Sequence, residues 1–218
     1  LAAAELLEIE RGEVEAEFRP AMTHAGEKGL EAEIYMYDSL SGGAGFSRQA
    51  ERRGKDLFRK ALEKLENCSD NCDASCYSCL RSFRNRLVHP HLDRFVGSSL
   101  LQYVLDGDLP SLREERLKRS RKRLVEDLRR QADKSRITIL TDETVEMNEV
   151  GDVQAPIFVK NDEGWKKMVD LHHPLTPGYV ADERFREASE VSSGIEVEMI
   201  NELAVQKNLP SVTSRLLD

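Results

Sequence analysis

Cys68-Ser69-Asp70-Asn71-Cys72-Asp73-Ala74-Ser75-Cys76-Tyr77-Ser78-Cys79 holds all four cysteines of a 218-residue chain, and its reading decides the fold of the first half. Scattered buried thiols would not cluster in this way. A disulfide framework needs an oxidising compartment. The chain has no basic segment leading into an apolar one that would export it. Thiolates at such short spacing converge instead on one soft cation, as a closed tetrahedral site. Asn71, Asp73 and Ser75, between the ligands, are turn formers of the kind a chain wrapping an ion requires.

One zinc ion is the expectation, with an iron–sulfur cluster as the alternative. The cysteines are contiguous, as many iron–sulfur ligand sets are. Cys72, Cys76 and Cys79 even match the spacing of radical SAM enzymes, although those place an aromatic residue where this chain has Ser78. A four-thiolate zinc site carries a formal charge of −2, which Arg81, Arg84 and Arg86 are placed to offset. The functional reading of the same run, Arg81-Ser82-Phe83-Arg84-Asn85-Arg86, is nucleic-acid contact by Arg81, Arg84, Asn85 and Arg86 beside one aromatic ring. His89 and His91 read as local hydrogen-bonding or packing residues, since four cysteines already complete a shell.

Upstream, Ala50, Leu57, Phe58, Ala61, Leu62 and Leu65 recur at helical spacing, and Ser47 is the expected N-cap of that helix. Glu31–Tyr37 alternates as a strand does and runs into a glycine-rich turn, Gly42-Gly43-Ala44-Gly45. A P-loop would end in Gly-Lys-Ser/Thr. Phe46-Ser47 stands there instead, so a tight strand-to-helix turn is the better reading. Ala2–Ile9 suits a short helix. Downstream, Leu92–Leu105 reads as a buried helix. Ser111–Glu114 reads as a capping box opening a long charged helix to about Asp133, expected at the surface because its apolar stripe is narrow. Ile137–Leu140, Ile157–Lys160 and Glu196–Ile200 read as strands, with a helix after Asp182. Ile137–Glu143 looks like a Walker B strand but has no P-loop to serve. His172-His173 is a possible acid–base or metal pair for which a structural role is the better reading.

The net charge of −8 is unevenly spread: −6 over residues 1–79, +7 over 80–136 and −9 over 137–218. The basic middle meets either a polyanion or the acidic flanks. No stretch of about 18 apolar residues crosses a membrane. The chain opens at Leu1 without methionine and is expected to be a piece of a longer polypeptide. No nucleophile elbow, zincin helix or nuclease carboxylate–lysine set is found, so no catalytic site is expected within it.

Tyr37-Asp38-Ser39-Leu40-Ser41-Gly42-Gly43-Ala44-Gly45-Phe46, the cysteine run, Leu80–Asn85 and Leu92-Asp93 together resemble the MrfA-like zinc-binding domain. That family occurs toward the C-terminus of DEAD/DEAH-box superfamily 2 helicases and in related phage-defence proteins. Ser41 departs from it where proline is frequent. The resemblance covers roughly residues 1–105. It implies zinc on Cys68, Cys72, Cys76 and Cys79, DNA as a partner, and an ATP-dependent helicase or translocase motor in the same polypeptide or on a partner subunit. The role implied is DNA repair or phage defence.

The expected architecture is α+β. A helix-rich four-cysteine zinc-binding domain (1–105) is followed by a charged linking helix (106–136) and a small α/β C-terminal region (137–218). The expected protein is cytoplasmic, with no membrane contact. It serves as an accessory domain that binds DNA or a partner; the alternative is a protein-interaction module docking an acidic partner subunit.

Overall fold

Period-two alternation sets the first hairpin. Strand β1 (Val14–Pro20) pairs antiparallel with β2 (Ala32–Asp38), Phe18 opposite Ile34 and Glu17 opposite Tyr35. Ala16, Phe18, Ile34 and Met36 therefore share one face, while Glu15, Glu17, Glu33, Tyr35 and Tyr37 share the other. The computed structural model describes residues 1–20, 32–132, 136–147, 150–191 and 194–217. Glu31 and Asp133, the expected ends of a strand and a helix, lie outside the described residues. Two compact units result, Leu1–Asp108 and Leu109–Asp218.

In the first unit, α1 (Ala2–Leu7) precedes the hairpin, and α2 (Phe46–Arg52) and α3 (Gly54–Glu66) follow it. One continuous helix was the expectation. The chain breaks at Arg53, just before the poor helix former Gly54, and the Arg53 amide bonds the carbonyls of both Gln49 and Ala50. Ser47 is not the N-cap: Gly45 is, at φ 82°. After a 3₁₀ turn (Arg86–His91), α4 (Arg94–Asp106) starts at Asp93, whose carboxylate accepts from the amides of Phe95 (2.9 Å) and Val96 (3.1 Å). This helix is less buried than its apolar residues suggested. It packs on α3, where Gly97 admits Leu65, and leaves Leu100, Tyr103 and Val104 exposed. Its buried members are Arg94 and Ser98.

The second unit is built on α5 (Glu114–Ala132), β3 (Ile137–Met147), β4 (Gly151–Asn161), β5 (Lys166–His172), α6 (Gly178–Ala181), α7 (Glu183–Glu190), β6 (Glu196–Asn201), α8 (Glu202–Lys207) and α9 (Leu209–Leu217). The sheet order is β3-β4-β5-β6, antiparallel except for β6, which runs parallel to β5 after crossing over through α6 and α7. The β3–β4 ladder lapses where Asp142, at φ 56°, lies opposite Pro156, which has no amide to give. Side chains alternate between two cores. Ile139, Ile157, Val159, Val169, Leu171 and Ile200 meet α5, α8 and α9, while Phe158, Met168 and Val153 meet Phe185 and Ala188 of α7.

The expected surface linker over 106–136 is thus corrected. Helix α5 starts at Glu114, three residues past the expected cap, and belongs to the core of the second unit. Leu124 and Leu128 are fully buried. A narrow apolar stripe suffices here because the polar positions beside it, Ser120 and Asp127, find buried partners in Glu202 and Thr213. Among the described residues no helix is long and apolar enough to cross a membrane.

Candidate metal centre

Helix α3 ends at Glu66 and delivers Cys68 to a series of tight turns. The Asn71 amide donates to Cys68 O at 2.9 Å, and Asn71 takes the left-handed conformation, φ 44°, that asparagine tolerates. Cys76 O then accepts the amides of Cys79 (3.2 Å), Leu80 (3.1 Å) and Arg81 (2.8 Å), which curls the chain back so that the Cys76 amide meets Cys79 Sγ at 3.2 Å. Leu65, Leu80 and Leu101 close over the sulfurs.

The four Sγ atoms lie within 4.8 Å of one another. Neighbouring pairs are 3.8 Å (Cys68–Cys72), 3.3 Å (Cys68–Cys76), 3.7 Å (Cys72–Cys79) and 3.7 Å (Cys76–Cys79) apart. A tetrahedron with zinc–sulfur bonds of about 2.3 Å has sulfur–sulfur edges of about 3.8 Å. A disulfide would need about 2.05 Å, and all four cysteines are free. A four-iron cluster spreads its ligand sulfurs further apart, because each binds a different iron. The donor set therefore fits one zinc ion, and its compactness argues against the iron–sulfur alternative.

Without a cation the thiols compete for protons. Burial pushes the Cys76 thiol up to about 12, reinforced by its hydrogen bonds with Cys68 and Asp70. Burial raises Cys72 as well. Burial opposes ionisation of Cys68 too, but hydrogen bonds from Cys76 and the amides of Asp70 and Cys72 outweigh it and bring Cys68 down to about 7. A divalent cation relieves this competition by taking all four as thiolates.

The residues expected to contact nucleic acid divide into two kinds. Arg81 Nε donates to Ser75 Oγ at 3.0 Å, inside the cysteine loop. Asn85 is a loop brace: its Nδ2 donates to Leu80 O at 2.8 Å and its Oδ1 accepts from the Ser82 amide at 2.8 Å. His89 Nε2 lies 2.9 Å from Asn85 Oδ1 and 3.0 Å from Ser82 O, away from the sulfurs. Arg84 and Arg86 stay at the surface. Arg84 pairs with Glu15, and the Arg86 guanidinium stands 4.7 Å from the centroid of Phe83, a ring that is 74% exposed.

The glycine-rich turn already holds an anion, and it is the chain's own. Asp38 accepts from the amides of Gly45 (2.5 Å), Phe46 (3.1 Å) and Ser47 (2.6 Å). Those amide bonds, the one from Ser47 above all, hold the carboxyl of Asp38 below its ordinary range. Glycines 42, 43 and 45 all have positive φ, which explains their type. The basic residues of α5 are likewise committed in part: Arg116 to Glu202, Arg121 to Asp170, Lys118 to Glu114, and Arg130 to Asp127.

His172 and His173 line a cleft of about 250 Å³ in the second unit, together with Arg121, Asp170 and Asp182. Its polar groups bond one another or the backbone. Arg121 binds Asp170 through two 2.7 Å hydrogen bonds, His172 Nδ1 meets the carbonyls of His173 (2.9 Å) and Thr176 (2.7 Å), and His173 Nδ1 accepts the Leu175 amide at 3.1 Å.

Residues 1–80 match the model of the MrfA Zn-binding domain. Druantia protein DruE of Escherichia coli is 42% identical over 78 residues, 36% of this chain and 4% of that protein. Uncharacterized protein MJ1572.1 of Methanocaldococcus jannaschii is 31% identical over 74 residues, 34% of this chain and 64% of that protein. The chain thus spans a small fraction of the first relative and just under two thirds of the second. No solved structure matches. The four cysteines, their tetrahedral spacing and the turn on Asp38 all fall inside residues 1–80, the stretch that is similar to the MrfA Zn-binding domain.

Proposed function

We propose that the first unit is a zinc-folded accessory domain of a DNA helicase or translocase, or of a subunit working beside one, in phage defence or DNA repair in the cytoplasm. The observation that carries this reading is the four-thiol tetrahedron within a stretch shared with an MrfA Zn-binding domain and, on sequence identity, with a Druantia protein. Cys68, Cys72, Cys76 and Cys79 hold one zinc ion, which fixes the loop they share and performs no chemistry on a substrate. The motor belongs to the same polypeptide or to a partner subunit.

DNA meets the domain at the segment following the last cysteine. Phe83 offers an exposed ring for stacking, Arg86 above it offers a guanidinium to phosphate, and Arg84 offers a second by exchanging its pairing with Glu15 for one with phosphate. Arg81 and Asn85 act indirectly by bracing this loop. Binding of the full chain to single-stranded DNA, followed as salt is raised, tests the reading. Arg84→Glu together with Arg86→Glu is expected to weaken binding at least about 10-fold and flatten the log–log salt slope by about one for each phosphate no longer neutralised. Unchanged affinity and slope would remove DNA from the account.

A second reading draws on Leu87, 86% exposed beside the same arginines. A mixed apolar and basic patch also suits an acidic partner subunit. Co-purification with such a subunit that survives nuclease treatment, without DNA retention, would favour it.

A further inference from the structure

Among the described residues, the charge built most deeply into the metal-binding unit belongs to none of Arg81, Arg84 and Arg86. It belongs to Arg94, the first residue of α4, which is 4% exposed. Its Nη1 donates to the carbonyls of Leu65 (2.7 Å) and Glu66 (3.2 Å), its Nε to the carbonyl of Cys72 (2.8 Å), and its Nη2 reaches Asn71 Oδ1 at 3.5 Å. The Arg94 amide donates to Ala74 O at 2.6 Å, and the guanidinium lies 4.1 Å from the centroid of Phe95. One side chain thus joins the end of α3, which delivers Cys68, to the loop that carries Cys72.

Each of those acceptors is an uncharged oxygen, so the bonds orient the guanidinium without neutralising it. A cation held this deep is costly unless opposite charge lies close by. Four thiolates around one zinc supply that charge, at a formal −2. Resting on the zinc reading above, we propose that Arg94 is the positioning residue and internal counter-charge of the metal centre. Its fork holds Cys72 at the spacing the tetrahedron requires, and its charge offsets the thiolates. Arginine suits the place because a planar fork reaches several carbonyls at once and stays ionised when buried.

The test compares Arg94→Met and Arg94→Lys with the parent, all as the full chain, by competition with a zinc chelator and by absorption of the cobalt(II)-substituted protein. Loss of a partner that orients a ligand costs about 10–100-fold in metal affinity. The expected result is a loss of about 100-fold in Arg94→Met and no more than about 10-fold in Arg94→Lys, which keeps the charge but not the fork. Undiminished affinity in Arg94→Met, or equal losses in both, would overturn the proposal. Should Arg94→Met not fold, Arg94→Lys decides alone: a loss of zinc affinity supports the proposal, and undiminished affinity with the fork removed overturns it. A parent chain without zinc and without four-thiolate cobalt bands would sink the zinc reading itself, a failure visible before any variant is made.

Discussion

Asp38 fills the glycine-rich turn with its own carboxylate, to which three backbone amides are bonded. One residue thus turns an apparent ligand cradle into a fixed joint between β2 and α2. Gly178 shows the same dependence on a single position. A Cβ built there would stand 2.6 Å from Met199 Cβ and 3.4 Å from His172 Cδ2. Gly178→Ala is therefore expected to destabilise the second unit by about 1–3 kcal/mol through overpacking, read as a lower urea midpoint with an unchanged slope. Neither role was legible in the sequence, because each depends on what the fold brings against the residue. The cysteines were legible, since all their ligand geometry lies within one short stretch.

Helix α5 shows how an element can be read correctly in kind and wrongly in place. Its charge and narrow stripe suggested a solvated linker, yet acidic groups distant in sequence let it be buried. Glu202 is fully buried and accepts from Arg116 Nη2 (2.7 Å) and Ser120 Oγ (2.6 Å). Glu202→Ala leaves Arg116, itself 15% exposed, without that carboxylate, and is expected to cost about 3–5 kcal/mol in urea unfolding. Asp127, 4% exposed, gives α5 a pH dependence. Burial alone would raise its carboxyl pKa, but hydrogen bonds from Thr213 and Gln131 and the charge of Arg130 outweigh it, so the folded value is lowered. A carboxyl lowered on folding stabilises the protein above its unfolded pKa of about 4, and that contribution is lost as pH falls through the folded value. Asp127→Asn should flatten the fall in stability below about pH 4, measured by urea unfolding across that range. An unaltered slope in the variant would show that Asp127 does not set it.

At the scale of the molecule, the two units differ in what holds them. The first rests on a small cluster around the sulfurs, with Phe18, Ile34 and Phe58 left exposed. The second has apolar cores on both faces of its sheet. The sequence pattern revealed β3, β4 and β6 in part but missed β5. That strand buries Lys167 and Asp170, which its own stretch does not explain: Glu196 and Glu198 pair with the first and Arg121 with the second. The role of Arg94 was not legible for the same reason, as three of its acceptors are backbone carbonyls, up to 29 residues away. The central claim remains the one written in the shortest stretch. Zinc X-ray absorption with elemental analysis of the purified full chain tests it most directly. The account predicts about one zinc per chain in a shell of four sulfurs at about 2.3 Å. Iron in place of zinc, a shell containing nitrogen or oxygen, or no bound metal would contradict it.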